Sequence, residues 1–342
     1  MNGLVLGLVS ALLFGASTPA SKILLADLTP FQLAGLLYLG AALGVSLPIA
    51  FERRRGRRVR LDRRNRIRLA GAVVFGGILG PVLLLMGLRT AAAASVSLIL
   101  NLEMAATAVL GAVWFREPLQ RAGWLGVTGI VAAGALLSSD AGWPGVASGL
   151  LVAAACVCWG LDNHLTALID GITPARSTFV KGLVAGATNL SIGAALAPVE
   201  ASWSIAGRAL AVGAVCYGAS ISLYIASAHQ LGATRAQGLF ASAPFFGAAL
   251  SFAALGEPLT PTHAAAGVIL SLSVACLFLA QHRHQHGHEA TEHIHSHRHD
   301  DGHHSHAHPD LPASTRHTHW HRHEPLVHAH PHWPDLHHRH RH

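Results

Sequence analysis

The pentapeptide Phe115-Arg-Glu-Pro-Leu119 stands between two apolar runs, and 140 residues later Leu255-Gly-Glu-Pro-Leu259 stands in the same setting. Reading outward from both, a second correspondence appears: Leu13-Phe-Gly15 ahead of Pro19 and Lys22 parallels Cys158-Trp-Gly160 ahead of Asp162 and His164. A bilayer-crossing helix needs about 20 mostly apolar residues. The chain offers about ten such runs, near 3–25, 30–51, 69–88, 91–113, 121–138, 147–168, 177–197, 209–228, 234–254 and 262–280. Five fall in each half. An odd count makes the second copy enter the membrane from the opposite side, so the repeats are inverted. The expected fold is an all-α integral membrane protein with about ten transmembrane helices as two inverted five-helix repeats, 1–140 and 141–280, followed by a polar tail, 281–342.

Composition supports this division. The chain has 342 residues, 51% apolar but only 12% charged, against about 25% charged in an average soluble domain. Mean hydropathy over the whole chain is +0.41; without the tail it rises to roughly +0.9. A soluble enzyme of this length is excluded, because its helices would need a face for water. Of 26 His, 23 lie in the tail. Cys156, Cys158, Cys216 and Cys276 all sit in apolar runs, so no disulfide framework is implied. The small-residue stretch Ala16-Ser-Thr-Pro-Ala-Ser21 lacks a preceding basic region, and the first helix is expected to be retained rather than cleaved.

Residues 1–280 carry 18 Lys and Arg against 10 Asp and Glu, and the tail 6 against 7. Ten of those cations are arginines between Arg53 and Arg68. Such a run wedged between apolar segments is a topology determinant rather than a nucleic-acid patch, and no nucleic-acid partner is expected. Placing it in the cytoplasm puts Arg116, Arg121, Arg176, Arg235 and the tail there as well, with Asp27, Arg89, Asp140, Glu200, Arg208 and Glu257 opposite. Both termini then face the cytoplasm of a bacterial inner-membrane protein.

The chain resembles the drug/metabolite transporter superfamily, in particular its EamA type, with ten helices in two repeats. The likeness rests on the two Glu-Pro-Leu sequences and on Phe14-Gly15 with Trp159-Gly160. It also rests on Leu98-Ile-Leu-Asn-Leu-Glu103, Cys158-Trp-Gly-Leu-Asp-Asn-His-Leu-Thr166 and Lys181-Gly-Leu-Val-Ala-Gly-Ala-Thr-Asn189. It covers 3–280; Phe14 departs from the Trp commoner at that place. The resemblance implies a secondary transporter of a small metabolite or drug-like solute, working by alternating access in the export direction, with no cofactor. It leaves the substrate open.

Ionisable groups inside hydrocarbon cost several kcal/mol and are site candidates by default. There are four. Glu103 lies near the middle of the fourth helix with Asn101 beside it, too deep to snorkel; it is a candidate for proton coupling or substrate contact, or else a carboxyl bonded to a neighbouring helix. Asp162 and Lys181 lie at similar depth on adjacent helices and suit an ion pair, whether packing, gate or substrate contact. Asn163 points about 100° away from Asp162, and Asn189 extends the Lys181 stripe only loosely. Lys22 lies near a helix end, where it can snorkel. Pro19 and Pro244 read first as simple kinks and otherwise as central breaks that free backbone carbonyls to line a pathway. Glycines at four-residue spacing, such as Gly40/Gly44 and Gly182/Gly186, permit close helix approach. Glu117 and Glu257 read as helix-start residues at the interface. The motif Gly-x-x-x-x-Gly-Lys-[Ser/Thr] is absent, so ATP hydrolysis is not expected.

In the tail, His282, His284, His286 and His288, then His293, His295, His297 and His299, alternate with other residues; His303, His304, His306 and His308 follow. With no apolar content for a core, the tail is expected to be disordered. Dense imidazole binds zinc, nickel, cobalt or copper, with no unique ligand set. A divalent-metal exporter, or a membrane-anchored metal buffer or sensor, is therefore the alternative function. Against export, the apolar region has neither a His-x-x-x-Asp pair nor any Asp-His dipeptide.

Overall fold

The computed structural model describes residues 2–52, 62–114, 119–169, 172–198 and 200–279, and in the tail 282–288, 291–297, 317–323 and 326–332. Most of the Arg-rich run, the stretch containing Glu117, and His299 to His308 lie outside the described residues. Two compact units result, 1–280 and 281–342.

The described residues of unit one are mostly helical. Its spans are α1 Gly3–Leu24, α2 Pro30–Glu52, α3 Arg63–Thr90, α4 Ala93–Trp114, α5 Arg121–Asp140, α6 Gly142–Ala167, α7 Pro174–Leu196, α8 Trp203–Leu231, α9 Arg235–Leu255 and α10 Pro261–Leu279. Three begin about a turn and a half ahead of the hydropathy reading: α3 at Arg63 rather than 69, α8 at Trp203 rather than 209, and α6 at Gly142 rather than 147. Hydropathy reports the hydrocarbon crossing, whereas the helix continues into water. Asp62 starts α3 by accepting from the Asn65 amide at 2.8 Å, and Ser202 starts α8 by accepting from the Ile205 amide at 3.4 Å. Arg68, inside this added turn, donates to the Leu168 carbonyl at the end of α6 (2.6 Å), as a cation at a helix C-terminus should.

The two halves repeat in detail. Helices α3 and α8 each contain a π-helical segment, Val73–Leu79 and Gly213–Ala219, 140 residues apart. Each half packs mainly on the other. Helix α2 lies against α7, α5 against α10 and α4 against α9, each a pairing of equivalent helices. Further contacts come in matched pairs, α1 on α8 with α6 on α3, α1 on α9 with α6 on α4, and α2 on α8 with the lighter α7 on α3. Residues 1–280 therefore form one interleaved bundle.

Small residues allow this, as the four-residue spacing implies. A Cβ on Gly40 or Gly44 would strike the α8 backbone at Leu210 or Ala214, and one on Gly182 or Gly186 the α2 backbone at Tyr38 or Leu39. Hydroxyls then join backbones. Ser10 and Ser220 each donate to the other's carbonyl, at 2.8 and 3.0 Å, tying α1 to α8.

The described tail residues lie in two strand pairs. Strand β1 (His282–His288) pairs antiparallel with β4 (Leu326–His332), and β2 (Thr291–His297) with β3 (His317–His323). Alternating His-x-His has the two-residue period of a strand, which composition alone does not register. The register sets His282 opposite His332, His284 opposite His330, His293 opposite His321 and His295 opposite His319.

Candidate functional site

Three helices of unit one are interrupted near their middles: α1 at Ala16, α4 at Leu100–Asn101 and α9 at Ala241–Ser242. Proline accounts for two of these. A proline lacks an N–H and its ring crowds the carbonyl four residues back. That is Gly15 for Pro19 and Phe240 for Pro244, each beside its break. In α4 the cause is Asn101. Its Nδ2 donates to the Leu98 carbonyl at 2.9 Å, and its backbone N–H turns to the same oxygen at 3.2 Å, so the side chain competes with the helix ladder.

The breaks surround one cavity of about 80 Å³, open on one side, with walls from both repeats. Phe14, Asn101, Glu103, Trp159, Tyr217 and Gln237 line it. Glu103 occupies the first turn of the helical segment that restarts at Leu102. Its Oε1 accepts from Asn163 Nδ2 at 3.0 Å, and the same amide also donates to Thr107 Oγ1 at 3.2 Å. Asn101 is 1% exposed and Ser97 likewise; Asn101 Oδ1 and Ser97 Oγ, both on the cavity wall, are buried without a partner. Rings close the space, with Phe14 stacked edge-on to Tyr217 at 5.6 Å and tilted against Phe240 at 5.1 Å.

A second polar network lies behind Trp159, outside the cavity lining. The π-helical turn of α3 leaves carbonyls that ordinary helix bonding would use. Tyr38 Oη and Trp159 Nε1 both donate to the Gly76 carbonyl, the indole at 3.0 Å, and Asn189 Nδ2 donates to Gly77 at 3.1 Å. Beside them Lys181 Nζ bonds both Asp162 oxygens, at 2.9 and 2.7 Å, and Thr166 Oγ1 adds a third donor at 2.8 Å. The carboxylate rests on the open face of Gly76, where a Cβ would overlap it. Four helices thus meet at one π turn.

Lys22 is engaged elsewhere. Its ammonium donates to the carbonyls of Leu88 (2.8 Å), Arg89 (3.2 Å) and Ala91 (2.8 Å), capping the C-terminal end of α3. The Glu257 carboxylate accepts from the amides of Ala93 (2.7 Å) and Ala94 (2.8 Å), capping the start of α4. The short α3–α4 linker is therefore held by a cation and an anion from two other elements. His263 stands next to it, bonded to Ser95 Oγ at 2.9 Å and Thr260 Oγ1 at 2.7 Å.

Of the residues singled out from sequence, Glu103 and Asn101 reach the cavity. Asp162 and Lys181 pair as their depth suggested, yet they and Asn189 belong to the α3 network, and Lys22 to the linker. Sequence reading missed Asn163 as the partner of Glu103 and passed over Ser97, Trp159, Tyr217 and Gln237. The signal for Asn163 was present, since its 100° offset from Asp162 turns it toward α4. Among the described residues no group of three or more His, Cys, Asp or Glu is arranged to hold a metal ion.

The family model described as "EamA-like transporter family" matches residues 1–139 and 147–279. A curated relative from Methanothermobacter thermautotrophicus, described as an uncharacterized transporter, is 26% identical over 293 residues, covering 79% of this chain and 84% of its own. A solved crystal structure, 19% identical, covers 81% of this chain and 97% of its own with a TM-score of 0.57, a likeness of fold.

Proposed function

Because this chain belongs to the EamA-like transporter family, with ten helices in a multi-pass membrane fold, we propose that it carries a small metabolite or drug-like solute by alternating access, the two repeats rocking about the cavity. The observation that carries this reading is the Glu103 carboxyl in a cavity built where α1, α4 and α9 are broken. Discontinuous helices at the interface of inverted repeats are where transporters bind substrate.

Glu103 is the coupling group in this proposal, exchanging a proton or contacting the solute, with Asn101 beside it. Asp162, Lys181 and Asn189 brace α3 against α6 and α7, and Lys22 braces the linker; both braces must yield if the repeats rock, which makes them gating elements. Export is the proposed direction, with both ends of the chain in the cytoplasm and the Arg-rich segment holding that orientation at the plasma membrane. No cofactor takes part.

Flux in proteoliposomes tests this reading, over a panel of amino acids, amines and divalent metals with and without a pH gradient. At least one solute should move, and its flux should respond to the gradient. A flux left unchanged by Glu103→Gln would refute the coupling role.

A second reading assigns the tail a metal function, as metal exporter or membrane-anchored buffer. The cross-strand register supports it, because each ladder sets three His opposite three His in the backbone pairing. Zinc, nickel, cobalt and copper suit imidazole.

A further inference from the structure

The cavity's chemistry narrows the solute, on the premise that the cavity is the transport site. Among the described residues its wall carries one ionic side chain, Glu103, and no Lys, Arg or His. The neighbouring Asp162 and Lys181 are paired with each other, so the carboxylate is the unbalanced charge beside the space. A binding wall of this kind attracts a cation and rejects an anion, because desolvated like charges cost several kcal/mol.

The unpaired atoms are specific as well. Asn101 Oδ1 and Ser97 Oγ are buried without a partner, and both residues line the cavity with Glu103. The Asn101 amide nitrogen is committed to Leu98, which leaves its oxygen as an acceptor and nothing else. A buried acceptor without a donor costs about 1–3 kcal/mol, so a ligand bringing N–H groups removes a penalty that the empty wall bears. Ser97 precedes the α4 break and Asn101 sits in it, and both line the cavity. An ammonium has three N–H donors, enough for the Glu103 carboxylate and these two acceptors. Phe14, Trp159, Tyr217 and Phe240 add ring faces and edges, which hold an apolar body and favour cationic charge over π faces.

We infer that the cavity is a site for a primary organic ammonium with an apolar body, and that it discriminates against the anionic, neutral and zwitterionic analogues of the same shape. A zwitterion fails because its carboxylate finds no cation on the wall.

Equilibrium binding to the full-length protein in lipid nanodiscs tests this, with phenethylammonium as probe and hydrocinnamate, phenethyl alcohol and phenylalanine as isosteres. Phenethylammonium should bind saturably and about ten-fold or more tighter than each isostere, the scale of one charge-assisted hydrogen bond. Glu103→Gln should weaken it by at least about ten-fold and Asn101→Ala by a smaller factor, whereas Glu103→Asp keeps the charge and retains binding. Thermal stability of each variant separates lost binding from lost folding, and Ser97→Ala provides an independent, conservative probe of the same wall. Equal or tighter binding of an isostere, no binding of phenethylammonium, or unchanged affinity in a folded Glu103→Gln overturns the assignment. The same compounds in flux assays separate the two readings. Binding that depends on Glu103 without movement upholds the ammonium site and defeats transport; movement of an anion alone does the reverse.

Discussion

Asn163 Nδ2 lies 3.0 Å from Glu103 Oε1 and joins α6 of the second repeat to α4 of the first at the cavity wall. One amide thereby orients the carboxyl that the cavity presents. Asn163→Leu should lower transport about five- to ten-fold by removing a hydrogen bond to a charged group, with Glu103→Gln more severe. The double variant should be no worse than Glu103→Gln alone, since the amide acts through the carboxyl. Initial rates of the four proteins in proteoliposomes decide this; additive losses would show that Asn163 acts independently.

The Asp162–Lys181 pair is mostly buried, so one charge left without the other is costly. Asp162→Asn or Lys181→Met alone should destabilise the protein by about 3 kcal/mol, and Asp162→Leu with Lys181→Met should recover most of that loss. Unfolding temperature in detergent, read by size-exclusion fluorescence, separates the two outcomes.

Gly76→Ala places a methyl group on the Asp162 carboxylate and should reduce the yield of folded protein sharply. Gly207→Ala and Gly267→Ala, where an added Cβ meets nothing within 4 Å, should be neutral or mildly stabilising. Expression and thermal stability of the three variants, measured side by side, check the contrast.

Glu257→Gln keeps the shape of the α4 cap and removes its charge, a loss of about 1 kcal/mol. Amide hydrogen exchange at Ala93 and Ala94 should speed up, with little change in α10. Unaltered exchange would mean that the α4 start does not depend on this carboxylate.

Deletion of residues 281–342 should leave solute flux intact and abolish most zinc binding measured by equilibrium dialysis. Loss of flux together with zinc binding would favour the metal-transport reading instead.

Sequence alone determined the class of this fold. Hydropathy depends on the solvent a segment can tolerate, and the 140-residue recurrence of Glu-Pro-Leu depends on descent from one repeated unit; both are properties of the chain read in order. It also picked out Glu103 and Asn101, because a deep carboxyl with no route to water requires a cavity or a partner. Pro19 and Pro244 announced two of the three helix breaks for a local steric reason. Tertiary structure decided the rest. Depth set Asp162, Lys181, Asn189 and Lys22 apart from Glu103, but their roles depend on which carbonyls a π turn in α3 and a helix end at Leu88 leave free. The cavity wall combines α1, α3, α4, α6, α8 and α9 from both repeats. No local periodicity can report that Asn163 meets Glu103, because hydrogen bonding between helices sixty residues apart is set by how the bundle interleaves.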